Sequence, residues 1–269
     1  MGNNVTEGTK LEWIKEFWRY KELFYFFVWR DIKIKYRQTV LGALWAIIQP
    51  LFTMLVFTTF FGKFAKMPSD GIPYPIFSYV ALVPWTYFAG AVTMSGNCLI
   101  GNSNLLTKVY FPRFAIPASS TLSGLIDFFI ASILLFALMI YYHVPLSWGL
   151  LLWPVLVIPL VLLALGLGMI LASLNVKYRD IKYTIPFGVQ ILMFITPIIY
   201  PISMLPEKYQ KLVKLNPLTG IIDAFRSSVF PNKHMDFGSL SISIVASIVI
   251  FFIGLAYFRK TEKDFADVV

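Results

Sequence analysis

The sequence predicts an all-α integral membrane protein with six transmembrane helices, and three observations carry that prediction. Hydrophobic residues make up 58% of the 269-residue chain and charged residues 14%, with a mean hydropathy of +0.71, which is more apolar surface than a water-soluble domain of this length can bury. Six apolar stretches, at roughly 41–62, 76–98, 114–142, 149–174, 185–203 and 239–258, are long enough to cross a bilayer at about 1.5 Å per residue. The cations are asymmetric. Sixteen Lys and Arg fall before the first stretch, in 99–113, in 175–184 and after 258, against seven in the remaining loops, and that excess puts both termini in the cytoplasm. Residues 1–40 then form a cytoplasmic N-terminal segment and 41–269 a single six-span domain.

The N-terminus, Met1 to Thr6, is polar and lacks the charged start and apolar core of a cleaved signal peptide. Its Asn4-Val5-Thr6 triplet matches a glycosylation acceptor but lies on the cytoplasmic side, so the match is coincidental. Over 10–28, Trp13, Phe17, Tyr20, Phe24 and Phe27 recur at three- and four-residue spacing among charged neighbours, which predicts an amphipathic helix lying flat in the inner interface. Trp29 to Arg37 then brings Arg30, Asp31, Lys33, Lys35 and Arg37 to the cytoplasmic approach of the first span. Pro50, Pro84, Pro117, Pro154, Pro159, Pro186 and Pro197 lie in or at the edges of spans, where each removes a helix hydrogen bond and favours a kink. Between spans five and six, 205–214 reads as a short amphipathic helix. Residues 217–230 are too few to cross and too apolar for an ordinary loop, so they are expected to re-enter the outer leaflet or to cap it among the headgroups.

Several chemistries are missing. Gly62-Lys63 lacks the earlier Gly and the following Ser or Thr of a phosphate-binding loop, and Gly166-Leu167-Gly168 sits inside an apolar helix, so the chain is not expected to bind ATP. Two histidines, His143 and His234, and the lone Cys98 nominate neither a metal site nor a catalytic triad. The net charge of +9 is spread over short loops that face lipid headgroups, which argues against nucleic acid as a partner. Asp127 is the one ionisable residue near the middle of a span. With no basic partner in any span, it is expected to bond a hydroxyl such as Ser123 or Ser132 at helical spacing, or another helix, the alternative being a role in transport. Asp223 and Arg226, three apart, can pair on the re-entrant helix.

Aromatic residues make up 17% of the chain, and some lie well inside spans: Trp45 and Phe52 in the first, Tyr79, Trp85, Tyr87 and Phe88 in the second, Phe187, Phe194 and Tyr200 in the fifth. Such rings either pack against helices and lipid or offer a sliding surface to the apolar faces of sugars.

Three blocks in order resemble the membrane subunits of polysaccharide-exporting ABC transporters of the ABC-2 type. They are Trp29 to Trp45 with Gln49-Pro50; Leu174-Asn175-Val176-Lys177-Tyr178-Arg179-Asp180-Ile181 followed by Thr196-Pro197-Ile198-Ile199-Tyr200-Pro201; and Asn216-Pro217 with Phe225-Arg226. The likeness covers nearly the whole chain and is nearest to the O-antigen exporters. It implies a homodimer in the bacterial inner membrane, two copies of a separate ATPase subunit that carries the ATP and Mg, and a path for a lipid-linked polysaccharide lined mainly by spans one, two and five. It also implies that 99–113, with Asn104, Leu105, Leu106, Lys108, Tyr110 and Arg113, is a coupling helix docked on the ATPase, where the residues alone leave a plain interfacial loop open. No cofactor is expected in this chain. Teichoic-acid and capsule exporters share these motifs, and a lone channel or glycan-modifying enzyme is the reading from a different class, one that would need no neighbouring ATPase.

Overall fold

The structure, a computed structural model, describes residues 20–37, 39, 41–102, 105, 111–178, 180–230, 233–262 and 265. Helices form where apolar runs are bounded by prolines, caps and polar turns. α1 (Lys21–Tyr36) precedes a first rod in which a 3-10 turn at Gly42–Leu44, α2 (Trp45–Phe57) and a π-helical stretch (Thr58–Phe64) run on continuously. α3 (Tyr74–Gly101) follows, then α4 (Ala115–Ser123) and α5 (Leu125–Tyr141) as one rod, then α6 (Trp153–Lys177), which is entered through a 3-10 turn at Trp148–Leu152. α7 (Ile181–Ile195), α8 (Glu207–Lys214), α9 (Pro217–Val229) and α10 (Phe237–Thr261) complete the chain, and no strand occurs among the described residues.

Five rods are long and apolar enough to cross a membrane: Gly42–Phe64, Tyr74–Gly101, Ala115–Tyr141, Trp148–Lys177 and Phe237–Thr261. The fifth expected span, 185–203, differs. Its helix begins earlier, at Ile181, and stops after 15 residues at Ile195. The cause is local, since a residue before proline is driven out of the helical region, and Thr196, ahead of Pro197, is extended at φ −81° and ψ 137°. The helix expected over 10–28 is described only from Lys21 and continues to Tyr36, so it includes the charged Trp29–Lys35 block. Trp13, Phe17 and the rest of 1–19 lie outside the described residues.

α3 is the hub: 78% of its most apolar window is buried, against 17% for the first rod, so α3 is enclosed while α2 keeps most of its surface outward. An enclosed helix has no polar side to present, which is why α3 shows no amphipathic pattern. Small residues bring its neighbours in. Where lipid supplies no hydrophobic drive between helices, close backbone approach does the work. Gly168 of α6 sits on Ser95 of α3, Gly220 of α9 on Ser239 and Ser243 of α10, and Gly166 of α6 against Gly254 of α10.

The segment after α7 uses its apolar residues in two ways. α8 buries nothing, and its apolar side, Tyr209 and Leu212 followed by Leu215, is exposed. In α9 every residue from Leu218 to Val229 is buried, against α3, α6 and α10. Asn216 caps α9 by accepting from the Leu218 N–H at 3.1 Å, and Asp236 caps α10 by accepting from the Ser239 N–H at 3.1 Å. Lys214 also donates to Asp236 at 2.7 Å, and these donors hold its carboxyl well below the usual carboxylate range. A carboxyl depressed on folding stabilises at neutral pH and loses that contribution as acidity protonates it, starting near its unfolded value of about 3.9. Asp236→Ala is therefore expected to cost about 1 kcal/mol at neutral pH, a difference from wild type that shrinks in thermal melts taken below that pH. An equal difference at both acidities would show that the cap's charge contributes nothing.

Candidate functional site

α1 reaches the rest of the chain through contacts that advance along both partners. Phe27 meets Phe111 edge to face at 5.2 Å, Asp31 accepts from Ser119 Oγ at 2.9 Å and Ser120 Oγ at 3.4 Å, and Lys35 and Tyr36 both reach Asp127. The helix thus climbs alongside the third rod instead of leaving it at the first turn. Asp31 is bridged by Arg30 through Nε at 3.1 Å and Nη2 at 2.8 Å, and Arg30 also lies over the Phe27 ring. Lys33 stacks over Trp29, and Lys33 and Arg37 are exposed. Of the five charges at the cytoplasmic approach, Arg30, Asp31 and Lys35 are held by partners within the chain.

Of the partners expected for Asp127, the structure supplies another helix and not the hydroxyls of its own. Its partners are Lys35 Nζ at Oδ2 and the Tyr36 hydroxyl at Oδ1, while Ser123 and Ser132 donate to the carbonyls of Ser120 and Phe128 on their own helices. The basic partner that no span supplies comes from the helix before the first span. A carboxylate in a span costs about 3 kcal/mol, and a cation with a second donor offsets much of that. Burial, with the hydrogen bond to Asp127, pushes the Tyr36 hydroxyl above its ordinary pKa, so it remains a donor at physiological pH.

These three residues form one end of a cleft of about 520 Å³ between the first and second rods. Its walls include Trp45, Gln49 and Thr53 from α2, Trp85, Tyr87 and Thr93 from α3, and Met193 from α7. The volume lies within the range of small-molecule sites, and the lining mixes apolar rings with hydroxyl, amide and charged side chains.

The nine aromatic candidates divide. Tyr79, Trp85, Tyr87 and Phe88 are buried in the core around α3, where the Tyr79 hydroxyl donates to the Ala131 carbonyl at 3.1 Å and the Tyr87 hydroxyl to the Thr121 carbonyl at 3.3 Å. Trp45, Phe52, Phe187 and Phe194 are exposed. Tyr200 is partly buried, with its hydroxyl on the carbonyls of Phe194 and Ile195. Trp45, Trp85 and Tyr87 are the ones that the cleft brings together.

Asp223 and Arg226 do not pair with each other. Asp223 takes Lys233 at 2.7 Å, and Asp70 and Ser203 join the same group, at 3.9 Å from Lys233 and by a 2.8 Å hydrogen bond to Asp70 respectively. Arg226 points inward and is 1% exposed. It donates to the carbonyls of Pro197 and Ile198 at 2.6 Å each and of Phe77 at 3.3 Å, and it lies 3.8 Å from the Phe77 ring centre. The carbonyls just past the end of α7 have no helical partner, and a guanidinium with five donors satisfies them where a carboxylate could not.

At the other end, Phe27, Phe111, Phe258 and Phe265 share a second apolar cluster, and Leu105 packs against it. Arg113 donates to the Glu262 carbonyl, tying the start of the third rod to the end of α10. Asn104, Leu106, Lys108 and Tyr110 lie outside the described residues. Sequence reasoning missed the Lys35–Asp127 and Lys233–Asp223 pairs and the carbonyl partners of Arg226. The isolation of Asp127 among apolar residues was the one signal that a distant cation had to serve it.

Comparison with known proteins agrees with this architecture. The profile of the family described as "ABC-2 type transporter" matches residues 22–230. The chain is similar to the "O-antigen export system permease protein RfbA" of Klebsiella pneumoniae, 30% identical over 244 residues, which are 89% of this chain and 92% of that protein. A protein of the same name from Myxococcus xanthus is 28% identical over 257 residues, covering 94% and 98%. The "Polysialic acid transport protein KpsM" of Escherichia coli is 27% identical over 246 residues, covering 87% and 91%.

Proposed function

This chain belongs to the ABC-2 type transporter family, and from that premise we propose that it is the membrane subunit of an ATP-driven exporter moving a lipid-linked O-antigen polysaccharide across the bacterial inner membrane. The observation that carries this reading is the match, nearly end to end, to O-antigen export permeases. The sequence offers no phosphate-binding loop, so ATP and Mg belong to a separate nucleotide-binding subunit, present in two copies beside a homodimer of this chain. The outward surface of α2 and the exposed Phe187 and Phe194 of α7 support a second copy and a shared path there. Residues 41–269 act as one transmembrane domain. α7 with 196–203 makes the fifth of six crossings, and the burial of α9 on all sides supports a re-entrant helix. α1, with Tyr25, Phe26 and Trp29 exposed, suits the inner interface; the excess of cations supports cytoplasmic termini; and 99–113 meets the ATPase.

Purified alone, the chain is expected to show no specific nucleotide binding; purified with its ATPase, the complex is expected to hydrolyse ATP faster when lipid-linked O-antigen is added. Deleting the gene is expected to remove O-antigen from the cell surface. Micromolar ATP affinity in the isolated chain, or a stimulated rate equal to the unstimulated one, overturns the reading. Loss of capsule with intact O-antigen moves the substrate to capsular polysaccharide, the cargo class that the resemblance to KpsM brings.

A further inference from the structure

The polar end of the cleft has a chemistry that its neighbours do not explain. Asp127 is the only acid in the five long rods, yet its side chain and that of Lys35 stay 25% and 29% exposed. Lys35, Tyr36 and Asp127 all line the cleft, so the pair stays open to whatever enters it. Lys35 places one of its three ammonium protons on Oδ2, Tyr36 places its proton on Oδ1, and each carboxylate oxygen keeps a second acceptor site. The cluster therefore offers spare donors and spare acceptors together, with no net charge. Beside it stand the indoles of Trp45 and Trp85 and the exposed amide of Gln49.

A sugar hydroxyl is donor and acceptor at once, and the C–H face of a pyranose packs on an indole. An acidic sugar would lose hydration of its carboxylate without gaining a free counter-ion, because Lys35 is already paired with Asp127. We propose that Asp127, Lys35 and Tyr36 form the polar end of a saccharide subsite that takes a neutral, hydroxyl-bearing sugar residue of the exported glycan, with the exposed Trp45 as its aromatic wall. Lys35 cancels the charge of Asp127 and so makes a carboxylate acceptor tolerable there. The subsite rests on the exporter reading above and adds residues of the third rod and of α1 to the path.

The test uses the complex with its ATPase in lipid nanodiscs, titrated with purified lipid-linked polysaccharide. Asp127→Asn removes the charged acceptor and is expected to raise the half-stimulating concentration about tenfold, the worth of one hydrogen bond to a charged group. Lys35→Gln leaves Asp127 uncompensated and raises it further, and the Lys35→Gln/Asp127→Asn double variant, neutral again, recovers part of that loss. A purely structural role would lower the maximal rate or the yield and leave the half-stimulating concentration in place. Gln49→Ala, on the exposed wall, carries the same upward expectation and stands in where Asp127→Asn does not assemble. An unchanged half-stimulating concentration in the variant that assembles overturns the subsite. A lipid-linked polymer of neutral hexoses is expected to stimulate the wild type at lower concentration than one of acidic sugars, and equal concentrations overturn the stated specificity. Stimulated wild type with unaffected variants removes the subsite alone, whereas a wild-type complex that no lipid-linked glycan stimulates removes the exporter reading and the subsite with it.

Discussion

Arg226→Ala is expected to cost about 3–5 kcal/mol, because it strips charged donors from two carbonyls past the end of α7 and leaves a cavity against Phe77. The segment it holds, Pro197 and Ile198, has no helical bonds to fall back on: Thr196 is already extended and α7 has stopped. Arg226→Lys keeps the charge but loses the fork that reaches both carbonyls, so about half the loss is expected. Fluorescence-monitored melting of the purified protein checks the order wild type, Lys, Ala. A Lys variant as stable as wild type would show that charge, and not the two-carbonyl geometry, is what matters. The substitution also loosens the junction between α7 and α9, so export should fall even where yield is rescued at low temperature.

Gly254→Ala is the smallest change with a comparably large effect. A Cβ at that position would sit 2.3 Å from the Gly166 carbonyl oxygen and 2.9 Å from its carbon, and backbone cannot step aside as a flexible side chain does. α6 and α10 must separate or slide, which costs at least about 3 kcal/mol, at the top of the range for overpacking. Gly188→Ala is the matched control. No atom lies within 4 Å of its Cβ position on α7, so helix propensity alone acts and stability is expected to hold or rise by up to about 1 kcal/mol. If both variants melt together, the close crossing of α6 and α10 is not what holds these helices.

Hydropathy counting located the rods because length and composition are local properties of a chain in lipid. At the fifth stretch it misplaced the end of the helix, for an instructive reason. Apolar count treats Thr196 to Tyr200 as more helix, whereas Pro197 imposes a backbone state on the residue before it that no amount of apolarity reverses. The signal was in the sequence, in the Thr-Pro pair, and the count did not weigh it. The spacing of Asp223 and Arg226 likewise permitted a pair. Spacing says which residues can meet on one helix, but an inward-facing arginine answers to whatever lies across from it, here the carbonyls beyond α7.

The sequence by itself determined the membrane character, the helical class and the family, each of which depends on composition, periodicity or short ordered motifs. Only the tertiary structure decided that Asp127 is served by Lys35 and Tyr36, 92 and 91 residues away, and that these three stand at one end of a cleft with Trp45 and Trp85. It also sorted the aromatic residues into core and surface, since a ring inside a span looks the same in the sequence whether it meets α3 or lipid. The physical reason is common to both: a pairing energy depends on distance in space, and a chain that crosses itself several times brings together residues whose separation along the sequence carries no trace of the contact.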